Sequence, residues 1–138
     1  MKMHPTVAGL LVIISIVVLS HASFSIEADK AGLHPKVVKL DSAGKDYLQV
    51  LGGPPESVTM KSGLVVLAPN KSVGKHSTKQ HEELLVILEG QGEMIFKDGS
   101  TLQVKANHAL YCPPETEHDV RNTGTHVLRY VYIVADAK

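Results

Sequence analysis

From Val37 onward the chain is built of short apolar runs separated by polar, turn-forming breaks. The runs are rich in Val, Ile, Leu and Tyr, and fall at Val37–Leu40, Tyr47–Leu51, Val58–Met60, Gly63–Leu67, Glu83–Leu88, Gly92–Phe96, Thr101–Val104, Ala109–Tyr111, His118–Asn122 and Val127–Val134. Between them stand Gly52-Gly53-Pro54-Pro55, Pro69-Asn70, Gly90, Asp98-Gly99, Pro113-Pro114 and Thr123-Gly124. β-branched and aromatic residues bounded by such breaks read as strands. Asp98-Gly99 between two runs predicts a hairpin of type I′, whose two central residues both take positive φ. No window sustains a 3.6-residue period with capping residues, so little helix is expected. Many short strands with frequent turns predict an all-β fold, an antiparallel sandwich or barrel.

Within Glu83–Leu88, side chains alternate between two faces. Glu83, Leu85 and Ile87 share one, while Leu84, Val86 and Leu88 share the other. Both are apolar after the first residue, which predicts a strand covered on both sides. One face would line the interior. The other would meet an N-terminal strand or a second copy of the chain, so a homodimer is expected.

Before Val37 the pattern changes. Val7 to Leu19 is nearly all aliphatic, preceded by Lys2 and followed by the small residues Ser20 and Ala22. This is the pattern of a signal peptide over residues 1–22, with cleavage after Ala22. An uncleaved signal anchor is the alternative, and only then would the chain be tied to a membrane. Residues 23–36 read as a linker or N-terminal arm, and residues 37–138 as the domain. Export places the protein outside the cytoplasm, secreted or periplasmic.

The 138 residues suit a single domain. The 14 Lys+Arg balance the 14 Asp+Glu, without a basic stripe, so a nucleic-acid partner is not expected. The single cysteine, Cys112, precludes an intrachain disulfide. With no basic neighbour in sequence, it reads as a buried, inert thiol.

Candidate chemistry is concentrated in GKHSTKQHEELLVILEG, residues 74–90. His81 and Glu83 lie two apart on a strand and share a face, while Glu82 points away. His76 precedes them in a polar loop. Imidazole and carboxylate are ligands for first-row metals, but this segment alone fits a solvated strand entrance equally well. A further donor comes from PPETEHDVRN, residues 113–122, where His118 opens a strand. His76, Glu83 and His118 then form two imidazoles and one carboxylate, a set that suits non-haem iron and related divalent metals. Tyr130 and Tyr132 share one face of the last run, in positions that serve either packing or a pocket.

These two segments together resemble the cupin superfamily in its small single-domain form. The first cupin motif runs Gly, five residues, His-x-His, three or four residues, Glu, six residues, Gly. Here Asn70 stands at the first Gly, followed at the matching spacings by His76, Thr78, Glu83 and Gly90. The second motif runs Gly, five residues, Pro-x-Gly-x-x-His, three residues, Asn, matched by Asn107, Pro113, Glu115, His118 and Asn122. The resemblance covers about Gly63 to Val134 and implies a double-stranded β-helix, a jelly-roll barrel holding a divalent transition metal (Fe, Mn, Ni or Zn) and a small-molecule ligand. Asparagine tolerates the left-handed backbone that Gly provides at positions 70 and 107. Thr78 replaces a metal-binding histidine, and His81 is the local substitute, as a fourth ligand or as a partner of the ligands. The implied activities are those of a metal-dependent oxygenase or isomerase, or of a binding module without turnover.

Overall fold

The computed structural model describes residues 33–137. The expected signal peptide and most of the expected arm lie outside these residues. Eight strands follow one another: β1 Tyr47–Gly52, β2 Lys61–Leu67, β3 His81–Glu89, β4 Gln91–Phe96, β5 Thr101–Lys105, β6 Ala109–Cys112, β7 His118–Asn122 and β8 Leu128–Asp136. They form a five-stranded sheet in the order β1-β2-β8-β3-β6 and a three-stranded sheet in the order β5-β4-β7. Every pairing is antiparallel. The described residues contain no helix, as the pattern predicts.

The core lies between the two sheets. Leu85 and Ile87 of β3, Met94 of β4, Val120 of β7, and Leu128 and Tyr130 of β8 meet there, each at most 3% exposed. Period-2 alternation explains the choice: Glu83, Leu85 and Ile87 are buried on one face, as expected. The opposite face of β3 is less well covered. Leu84 and Leu88 are 37% and 39% exposed, so within one chain that face is only partly covered.

Two predicted strands are absent. Residues 37–40 and 58–60 carry no ladder; the first has no regular structure and the second lies in a bend before β2. Their apolar side chains lack a core to enter, and Val37 and Val58 are 99% and 68% exposed. The β4–β5 hairpin forms where expected, but its turn is different. Only Gly99 has positive φ, at 84°. The Gly99 amide donates to the Phe96 carbonyl (2.9 Å), and the Asp98 carboxylate accepts from the Ser100 amide (2.9 Å). Asp98 therefore stabilises a longer turn with its side chain instead of taking a left-handed backbone itself.

The motif positions that replace glycine do adopt left-handed backbone. Asn70, Asn107 and Glu115 have φ of 63°, 68° and 58°. Gly90, retained from the motif, needs its missing side chain for a second reason: a Cβ there would lie 2.3 Å from the Val127 carbonyl oxygen. Asn122 is fully buried and closes the β7–β8 connection. Its Nδ2 donates to the Leu67 and His126 carbonyls, and its Oδ1 accepts from the Gly124 amide, all at 2.8 Å.

Candidate metal centre

Three elements bring the donors together. Glu83 comes from β3 and His118 from the start of β7. His76 comes from the loop between β2 and β3. That loop runs beside β7: the His76 amide donates to the His118 carbonyl and the His118 amide to the His76 carbonyl, both at 2.9 Å. The Val73 amide bonds the Val120 carbonyl (3.1 Å), and the buried Asp119 carboxylate accepts from the Gly74 amide (2.9 Å). The loop is thus fixed by backbone pairing, and the two imidazole centroids sit 4.5 Å apart.

One ligand atom each from His76, Glu83 and His118 falls within 4.8 Å of the other two. Glu83 and His118 are buried, while His76 is exposed. Backbone carbonyls orient both rings. His76 Nδ1 lies 2.9 Å from the Gly74 oxygen and His118 Nδ1 lies 3.0 Å from the Thr116 oxygen. A carbonyl only accepts, so in each ring Nδ1 carries the hydrogen and Nε2 is left as the basic nitrogen. Carbonyl bonds of this kind commonly orient metal-binding histidines.

The donors leave an unmet requirement. His118 Nε2 and Glu83 Oε2 face each other at 3.2 Å, yet neither has a hydrogen-bond partner of adequate geometry, and both are shut off from solvent. A lone pair opposed to a carboxylate is repulsive unless a cation stands between them. Two donors each about 2.1 Å from one ion would themselves be about 3.0 to 3.4 Å apart at octahedral or tetrahedral angles, which the observed separation matches. The residues present therefore fit a divalent transition metal. A proton is the competing cation. Burial alone would lower the basicity of His118, but the Glu83 carboxylate and the Thr116 carbonyl outweigh it and the net shift is upward.

The structure does not bring His81 into this group. Its Nε2 pairs with Asp136 of β8 at 2.8 Å, and its Nδ1 bonds the Thr78 carbonyl at 3.0 Å. Thr78 lies on the wall of the adjacent cavity, and its hydroxyl donates to the His81 carbonyl at 2.8 Å. The two residues thus brace the entry to β3 against each other. Cys112 is fully buried, as expected, with its sulfur 3.3 Å from His118 Nδ1. Burial, and then the Glu83 charge, raise its pKa.

A cavity of about 430 Å³ opens beside the donors. Val65, Val73, Val120 and Val134 give it apolar walls, and His76 and Glu83 reach into it. Tyr130 and Tyr132 line it as well, while Tyr130 also belongs to the core and Tyr132 packs against it, so the two residues serve both packing and the pocket. Sequence reasoning missed Val73, Gly74 and Lys75 as cavity residues. The one available signal was their position just before His76, between two motif residues.

The family model described as Cupin domain matches residues 63–134. An uncharacterized protein of Methanocaldococcus jannaschii is 33% identical over 66 residues, covering 48% of this chain and 50% of that protein. The chain thus spans about half the length of that curated relative. Among solved structures, a Cupin 2 conserved barrel domain protein from Salinispora arenicola is similar at a TM-score of 0.63 and 22% identity, over 75% of this chain and 91% of that one. An RmlC-like cupin family protein with a double-stranded β-helix fold, from Methanocaldococcus jannaschii, is similar at 0.62 and 17%, over 76% and 94%. At these identities the structural likeness establishes the double-stranded β-helix fold.

Proposed function

The chain belongs to the Cupin domain family, and from that premise we propose that it holds a divalent transition metal on His76, Glu83 and His118 and a small ligand in the cavity beside them. The observation that carries this reading is the buried pair of unsatisfied atoms, His118 Nε2 and Glu83 Oε2, aimed at one point with a third donor in reach. Two imidazoles and one carboxylate leave coordination positions open, as in non-haem iron oxygenases. The bound ion would supply Lewis acidity and sites for ligand oxygen atoms. Glu83 would supply the negative charge, and His76 and His118 the neutral donors. The valine walls would exclude water around the ligand, and the Tyr130 hydroxyl would hold a proton at the cavity wall. Burial, then the charges of Glu83 and Asp119, push that phenol far above its ordinary pKa. The reaction class that follows is a metal-dependent oxygenation or isomerisation, carried out outside the cytoplasm.

One observation favours a second reading, a binding or sensing module without turnover. Thr78 stands where the family motif has a second histidine, and its hydroxyl is committed to the His81 carbonyl. Three protein ligands in place of four alter the chemistry available to the ion.

Metal analysis separates these ideas. The purified protein, reconstituted with Fe(II), Mn(II), Ni(II) or Zn(II), is expected to retain close to one equivalent of ion, and His118→Ala to retain none. Retention unchanged by that substitution would remove the assignment. Oxygen uptake with a panel of diketones, thiols and phenols then tests turnover. On the outer face of the larger sheet, exposed Leu84, Leu88 and Tyr111 support pairing of two copies; a monomer by light scattering at micromolar concentration would exclude it.

A further inference from the structure

The cavity carries a second set of polar groups apart from the metal donors. Tyr132 of β8 lines it, and Tyr47 of β1, itself 46% exposed, stacks on Tyr132 from outside the lining. Their hydroxyls are 3.0 Å apart and their rings stack at 6.4 Å, inclined by 19°. Gly63 of β2 makes this arrangement possible. A Cβ there would lie 2.6 Å from the Tyr47 ring and 2.8 Å from the Tyr132 ring, closer than atoms pack.

Two phenols that share one hydrogen bond have one O–H left over. When Tyr47 donates to Tyr132, that remaining hydrogen belongs to Tyr132, on the cavity wall. An acceptor in the cavity would be met by a chain of two hydrogen bonds that reinforce each other. Burial, then the bond to Tyr47, raise the Tyr132 pKa well above its ordinary value, so the pair stays protonated and donates. Lys75 lines the same cavity and has no ion-pair partner among the described residues. Glu83 is the one carboxylate on the lining. A divalent ion in place would balance Glu83 and the neighbouring buried Asp119, whose carboxylate accepts from the Gly74 amide of the lining, and Lys75 would then supply a net positive charge, so the cavity would favour an anion.

We infer that Tyr132, backed by Tyr47 across Gly63, forms with Lys75 an anion subsite, and that the ligand class is a small monocarboxylate with a branched apolar body. The body fits the valine walls, and a volume of about 430 Å³ is at the small end for ligand cavities. The inference rests on reading the triad as a metal site for the ion's share of the charge, whereas the phenol pair and Lys75 stand without it.

The test uses three probes of one shape and different charge: 4-methylpentanoate, 4-methylpentanamide and 4-methylpentylamine. Metal occupancy is read from the visible absorption of protein loaded with Co(II). Ligand binding is read from tyrosine fluorescence, on Zn(II)-loaded and metal-free protein. The chain has no tryptophan and four tyrosines, and three of them, Tyr47, Tyr130 and Tyr132, line the cavity or stack on its lining. The acid is expected to bind at least roughly tenfold tighter than the amide, and the amine weakest, with Tyr132→Phe removing about that factor, as for one hydrogen bond to a charged group. Lys75→Met should weaken the acid about two- to fivefold and reduce its salt dependence, as for an exposed charge. Equal binding of acid and amide, or no effect of Tyr132→Phe in a variant with unchanged thermal unfolding, would overturn the subsite. Absent Co(II) binding would instead overturn the metal site, and the metal-free titrations would still decide the subsite by the same two comparisons.

Discussion

His81 and Glu83 stand two positions apart on one strand face, Glu83 at the motif position and His81 as its local supplement, and only Glu83 joins the cluster. The difference lies in Asp136, on a strand whose pairing with β3 no local pattern specifies. His81→Ala is therefore expected to leave metal affinity unchanged while lowering stability by about 0.2 to 1 kcal/mol, the range for a partly exposed polar pair. Parallel metal titration and urea unfolding check it, and a marked loss of metal affinity would restore His81 to the site. Cys112 is buried as the lack of a basic neighbour in sequence suggested, but its closeness to His118 was not legible. Because burial raises its pKa, the thiol is protonated at neutral pH. A thiol reagent such as DTNB should leave the native protein essentially unlabelled and label one cysteine after denaturation. Rapid labelling of the native state would contradict that environment.

At the scale of elements, most strands were legible because alternation and turn residues are local signals. The two false strands, 37–40 and 58–60, had the right composition without a partner, and β-propensity expresses packing more than backbone preference. The hairpin was placed correctly and its turn was not, since the Asp98 side chain offered an alternative that the dipeptide rule omits. Motif spacing was the stronger guide to backbone shape: both asparagines at glycine positions are left-handed. Asn107 is exposed, and its amide donates to the Ile87 carbonyl at 3.0 Å. Asn107→Gly should shift stability by no more than about 0.5 kcal/mol, whereas the β-branched Asn107→Val should cost about 2 kcal/mol. Chemical denaturation of the two variants measures the gap, and equal stabilities would mean that the turn relaxes to another conformation.

For the whole molecule, cupin membership was legible from two spaced motifs, whereas of the cavity walls beyond the motif residues only Tyr130 and Tyr132 stood out in the sequence, and those with packing as the other role. Tyr47, Tyr132 and Gly63 come from three strands joined by long-range register, which a single sequence does not display. On the proposed site a proton and a metal would compete, so pH would act on the entire fold. The folded-state pKa of His118 is raised. In metal-free protein its charged form therefore stabilises the fold below the ordinary histidine pKa, and that contribution is lost as pH rises through the raised value. A metal ion needs the deprotonated ring, so its affinity increases over the same range. The difference in unfolding temperature between loaded and metal-free protein should widen from pH 5 to pH 8, as differential scanning calorimetry would show. A constant difference would mean that His118 is not a ligand. The reciprocal backbone bonds between His76 and His118 bear on how the ion arrives. The conformational entropy of bringing the His76 loop against β7 is lost when the chain folds, not when the ion binds. Metal capture on the proposed site would then require little rearrangement, and discrimination among ions would fall to the fixed spacing of the donors, not to a loop that closes around whichever ion comes first.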